Sequence, residues 1–178
     1  MISRFSIKYY AILLLVLSAV TPAWSEDNNP SAVKVAYIYN IAKFTRWPES
    51  TWKGDKDPFI LCSYGEDSVS KELKRLENKK IIDHPITVIE VKKDQDFQYC
   101  HALYISTEDS RVYRYLLSQI DQQTVLTITD ESPFFDSGGF VNLVRENKRL
   151  RFQISNQQLS NTKLILSSKL LKLSMLVD

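Results

Sequence analysis

Four short apolar runs, each followed by a polar or helix-forming stretch, constrain this chain more than any other feature. They are Phe59–Tyr64, Pro85–Val91, His101–Ser106 and Thr124–Thr129, and they are rich in β-branched and aromatic residues. Gly65 turns the chain into a predicted helix over 67–78, and Asp109 or Ser110 opens another to about Gln119. Lys92–Gln98 is a polar connection. Strands alternating with helices at this spacing predict an α/β fold: a mostly parallel sheet with helices on both faces and right-handed crossovers. A doubly wound order of 2-1-3-4 would set the first run between the second and third.

Beyond the fourth run lies GGFVNLVRENKRLRFQISNQQLSNTKLILSSKLLKLSM, from Gly138 to Met175. Strands at 140–145 and 149–155 flank a polar turn at Glu146–Lys148, predicting a C-terminal antiparallel hairpin at one edge. The leucine-rich segment that follows should supply packing for the domain. Before the first run, Ser31 can cap a helix reaching about Arg46, where Trp47-Pro48 ends it. Val33, Ala36, Tyr37, Ile41 and Phe44, with Asn40 as the polar exception, fit the spacing of its inner face. Glu49–Pro58 is a charged loop carrying Trp52.

The first 25 residues read as a cleaved secretory signal peptide. Arg4 and Lys8 precede an apolar run, Tyr10–Val20, and Ala23 and Ser25 hold the small-residue cleavage positions. The alternative is an uncleaved anchor, although the run is shorter than the ~20 residues a spanning helix needs. Residues 26–178 then form a single exported, soluble domain. Removing Arg4 and Lys8 leaves 21 basic against 21 acidic residues. That balance supplies no basic face for nucleic acid and no polybasic patch for anionic lipid. Four glycines in the whole chain argue against a repetitive all-β sandwich.

Cys62 and Cys100 are the two cysteines, both in the exported part. An even pair outside the cytoplasm is most simply one disulfide; two buried thiols are the alternative. A metal site is disfavoured, because only His101 adjoins Cys100 and Cys62 has no ligand at metal-binding spacing.

Catalytic motifs are weak. Asp136-Ser-Gly-Gly139 looks like a serine-protease nucleophile turn, but the histidines needed as base are only His84 and His101. Gly65 alone is not a phosphate-binding loop. Glu66, Asp67, Asp130, Glu131 and Asp136 follow strands, where aligned acids could hold a Mg²⁺; scattered as they are, solvated loop acids are the simpler reading. No catalytic residue, metal or cofactor is assigned. The aromatics are more informative. Tyr37 and Tyr39 point apart on a helix, and Tyr39, Trp47, Trp52, Phe134 and Phe135 are candidates for partner contact, against the alternative that they wrap a small core.

Several segments, taken in order, carry a family resemblance: VAYIYNIAKFTRWP (35–48), CHALYIS (100–106), LTITD (126–130), Gly138-Gly139, RFQIS (151–155) and ILSSKLL (165–171). Over about 33–177 the chain resembles the YfiR family of periplasmic proteins. The resemblance implies a brake on an inner-membrane diguanylate cyclase, acting on the cyclase's external sensor domain and lowering cyclic-di-GMP synthesis. It also implies homodimerisation, sequestration by an outer-membrane lipoprotein, and a link to periplasmic redox state. Cys62 and Cys100 match one family disulfide, and a second cysteine pair is missing. RFQIS departs from the more usual RFEIN at Gln153 and Ser155. The expected role is therefore regulatory protein binding. The rivals are a small-ligand sensor with a cleft beside Gly65 and Gly138-Gly139, and a hydrolase using Ser137.

Overall fold

In the computed structural model, residues 29–54, 56–93 and 97–178 are described; the signal peptide predicted for 1–25 lies outside them. The first helix, α1 (Pro30–Lys43), is capped two residues earlier than expected. Asn29, not Ser31, accepts from the backbone N–H of Ser31 at 3.1 Å, and Pro30 occupies the first turn, where its missing N–H costs nothing. The helix stops at Lys43 instead of Arg46. Thr45–Arg46 peels off as β1 and pairs antiparallel with β9 (Ile165–Leu166), so tertiary pairing ends the helix before Pro48 can.

The four predicted strands are β2 (Phe59–Tyr64), β4 (His84–Val91), β5 (Ala102–Ile105) and β6 (Leu126–Thr129). β2 pairs in parallel with both β4 and β5, and β5 pairs in parallel with β6, which is the 2-1-3-4 order. The hairpin β7 (Val141–Glu146) and β8 (Arg149–Ser155) extends the sheet beyond β6, with β7 parallel to β6. Asn147 and Lys148 both take positive φ, 47° and 65°, the geometry of a two-residue turn that matches strand twist. Two further strands of this sheet, like β1 and β9 outside it, had no signal in the sequence. β3 (Lys80–Ile81) pairs with β4, and β10 (Met175–Val177) pairs in parallel with β8, bringing the main sheet to eight strands beside the two-stranded pair β1–β9.

Side-chain alternation divides the core by face. Phe59 and Leu61 of β2, Ala102 and Tyr104 of β5, and Leu126 and Ile128 of β6 join one cluster with α1 and α2 (Ser68–Leu73). Cys62, Leu103 and Ile105 join the other, with Tyr113, Leu116 and Leu117 of α3 (Ser110–Ser118). Helices thus cover both faces, as an all-parallel centre requires. The Cys62–Cys100 disulfide forms, with Cα atoms 5.8 Å apart, because β2 and β5 are neighbours. Gly65 turns out of β2 at φ 101°, where a Cβ would collide with the Ser106 carbonyl.

After β8 come α4 (Asn156–Asn161) and α5 (Ser168–Leu173). The leucine-rich segment is only half a core element. Leu164, Leu166 and Leu170 are buried, whereas Ile165, Leu173 and Leu176 are exposed.

Candidate functional site

At the carboxyl ends of adjacent strands, Asp67 follows β2, Asp130 follows β6, and Tyr104 lies on β5 between them. The Tyr104 hydroxyl is 2.8 Å from Asp130 Oδ1 and 3.0 Å from Asp67 Oδ2. Lys34 of α1 pairs with Asp130, and Asp67 caps α2 by accepting from Ser70 N–H at 2.8 Å. Burial opposes the Asp67 carboxylate, but hydrogen bonds from Ser70 and Tyr104 outweigh it and hold its carboxyl below the usual range. Burial, with Asp130 and Asp67 alongside, pushes the Tyr104 phenol far above its usual range. These two acids are therefore ties between α1, α2 and the sheet, and the reading of both as solvated loop acids is corrected. Among the described residues no set of His, Cys, Asp and Glu has the arrangement of a metal site.

Near the disulfide, Trp52 stacks on His84 and on His101, with centroids 3.7 and 4.8 Å away. His101 Nδ1 accepts from the Ile60 N–H at 2.9 Å, which places the ring proton on Nε2. Burial, with His84 close by, lowers the His101 imidazole to about 4, so the ring is neutral. His84 Nδ1 contacts the Asp57 carbonyl at 2.7 Å. Both imidazoles are committed on the α1 face. Ser137 sits in the 3₁₀ turn Ser132–Ser137, whose Phe134 packs on the opposite face. The serine-hydrolase constellation is not assembled.

The third feature is a groove of about 690 Å³ between α1, β8 and α5. Ile41, Phe152 and Leu170 form its buried floor. Val33, Phe44 and Leu173 stand along it, 48, 37 and 62% exposed. The Tyr37 hydroxyl donates to the Leu150 carbonyl at 2.8 Å and its ring meets Phe152 edge-on, fastening α1 to β8. Lys169 Nζ lies over the Phe44 ring, 5.4 Å from its centroid.

The five aromatics predicted for partner contact do not form one surface. Trp47 is buried on the α1 face, edge-on to Phe59, donating its indole N–H to the His101 carbonyl at 3.2 Å. Phe134 is fully buried on the other face against Tyr113, occupying the space that the missing side chain of Gly139 leaves. Phe135 is half-buried beside it. Trp52 is half-buried in the histidine stack, and Tyr39 is half-buried between Lys43 and Lys79, its hydroxyl 3.1 Å from the Lys80 carbonyl. Trp47 and Phe134 are thus core residues in this fold, and the sheet separates Tyr39, Trp47 and Trp52 from Phe134 and Phe135.

A family model described as YfiR/HmsC-like matches residues 31–175, from the first turn of α1 to the start of β10. The chain belongs to the YfiR/HmsC-like family. Members of the YfiR/HmsC-like family are periplasmic regulators of cyclic-di-GMP signalling, and the family is regulatory and non-catalytic. No described helix is long and apolar enough to cross a membrane. All three walls of the groove lie inside the YfiR/HmsC-like match. The groove was missed in the sequence because α1 is apolar on two sides. Val35, Ile38, Ile41 and Ala42 face the core, while the Val33, Tyr37, Phe44 stripe, taken above as the inner face, looks into the groove. The signal that could have found it is that second stripe.

Proposed function

We propose that this chain inhibits an inner-membrane diguanylate cyclase by binding the cyclase's periplasmic sensor domain, so lowering cyclic-di-GMP synthesis. Membership of a regulatory periplasmic family over 31–175 is the observation that carries this reading. The exposed apolar stripe of α1 agrees with it, since contiguous apolar surface on a small domain marks a contact site. Inhibition is a population shift: the chain binds the off state of the sensor more tightly than the on state. Sequestration by an outer-membrane lipoprotein and homodimerisation belong to the same proposal. Deleting the chain should raise cellular cyclic-di-GMP, and adding the purified domain to the cyclase in vesicles, on the sensor side, should slow its synthesis. Unchanged turnover over a saturating titration would rule the reading out.

A small-ligand sensor is the second reading. The volume of the groove falls in the ~300–1,000 Å³ range of ligand pockets. Its location differs from the one expected, because neither Gly65 nor Gly138-Gly139 lines the three described depressions. A saturable thermal shift with a metabolite, in the absence of any cyclase, would favour it.

A further inference from the structure

The groove continues, past Val33 and Leu150, into a second depression lined by Lys34, Arg145 and Lys148. The first depression adds Arg149, Arg151 and Lys169. Neither is lined by an aspartate or glutamate. Of these cations, Lys34 is neutralised by Asp130 and Arg151 by Glu146 at 3.1 Å. The others have no ion pair among the described residues, so the apolar trough is edged by a row of cationic residues from α1, the β7–β8 hairpin and α5. That row is local, because the exported domain as a whole is formally balanced.

We infer that this trough is the docking site for an amphipathic helical segment of a partner protein, with apolar anchors along one face and carboxylates along its flanks. This rests on the reading that the chain works by holding another protein, and it specifies what that protein presents. From Val33 to Phe44 the wall spans eleven helical rises, about 16 Å, which matches about three turns of an inserted helix. Charge complementarity selects the acidic flanks. A second copy meeting this face about a two-fold axis would set cation row against cation row. An anionic bilayer is flat, whereas Ile41, Phe152 and Leu170 are sunk between α1 and α5, where only a narrow convex segment reaches them.

The experiment titrates the exported domain with two synthetic amphipathic peptides of about 14 residues, alike in their Leu and Phe face, one flanked by Glu and the other by Lys. The Glu peptide should bind at least about tenfold tighter, with an advantage that shrinks as salt rises. Val33→Asp with Leu173→Asp, both exposed positions outside the core, should weaken it at least about tenfold while the unfolding curve stays in place. Equal binding of the two peptides, or binding untouched by the double substitution, overturns the inference. So does sedimentation with phosphatidylglycerol vesicles that the double substitution abolishes, which would assign the trough to membrane. A native dimer that the same change dissociates would assign it to a second copy. The two proposals fail separately. Lost peptide binding with cyclic-di-GMP still held low keeps the trough as a docking site and places the cyclase contact elsewhere. Lost cyclase control with peptide binding intact overturns the trough.

Discussion

Trp52 lies flat on His84, with ring centroids 3.7 Å apart and planes 5° from parallel. The same indole stacks on His101, whose Nδ1 is occupied by a backbone N–H, so the chain's two imidazoles share one aromatic partner. A proton added to His101 enters a ring stacked between Trp52 and Phe59.

That burial makes His101 one source of acid sensitivity in the fold. The His101 ring titrates at about 4 instead of 6.5, so folding favours its neutral form. The stabilisation is complete above pH 6.5 and is lost as pH falls from there toward 4. Glu131 works in the opposite sense, because burial and the neighbouring Asp130 raise its carboxyl and protonation relieves it. The readout is therefore a difference between two proteins. His101→Gln should show a flatter melting temperature against pH across that window than the native chain. Parallel curves would contradict the assignment.

The disulfide joins residues separated by 38 positions. In the chain-entropy account, a closed loop of that size destabilises the unfolded state by about 4 kcal/mol. Replacing Cys62 and Cys100 together with Ala should lower the urea midpoint by a corresponding amount with an altered slope, since the unlinked unfolded chain exposes more surface. A midpoint that does not move would mean that the packing of β2 on β5 suffices by itself.

Tyr104→Phe removes the hydroxyl between Asp67 and Asp130. The Asp130 side chain is only 6% exposed and keeps Lys34, so a loss of about 1–3 kcal/mol is expected. Lys34→Met should cost more, because it leaves the carboxylate buried without its cation. Denaturant unfolding of the two variants gives the order, and the reverse order would show that the hydroxyl matters more than the charge.

Gly139→Ala would drive a methyl group into the Phe134 ring. The ring must then swing away from Tyr113, and overpacking of this kind costs about 1–3 kcal/mol. Near-ultraviolet circular dichroism should change along with the unfolding midpoint. Native spectra would mean the ring has room that its burial denies.

The central sheet was legible in the sequence because β2, β4, β5 and β6 each carry a dense apolar run, and because short connections leave few ways to order parallel strands. The hairpin was legible from its polar turn. β1, β3, β9 and β10 were not, since each is two or three residues long and owes its pairing to neighbours distant in the chain. The site was hidden for a different reason. Periodicity finds a helix with one apolar face, and α1 has two. Val33 and Phe44 satisfied the spacing rule while pointing away from the core that Val35 and Ile38 fill. Aromatic character misled in the same way, because Trp47 and Phe134 are large enough to serve equally well as anchors or as core, and burial decided for core.

One contact bears on affinity. The bond from the Tyr37 phenol to the Leu150 carbonyl ties helix to strand at a fixed spacing. The trough is formed in the domain by itself, with Ile41, Phe152 and Leu170 already at its floor. For the brake proposed above, a segment that fits the trough meets a surface already shaped for it, so the strength of its grip is set by the contacts inside and not by a cost of opening.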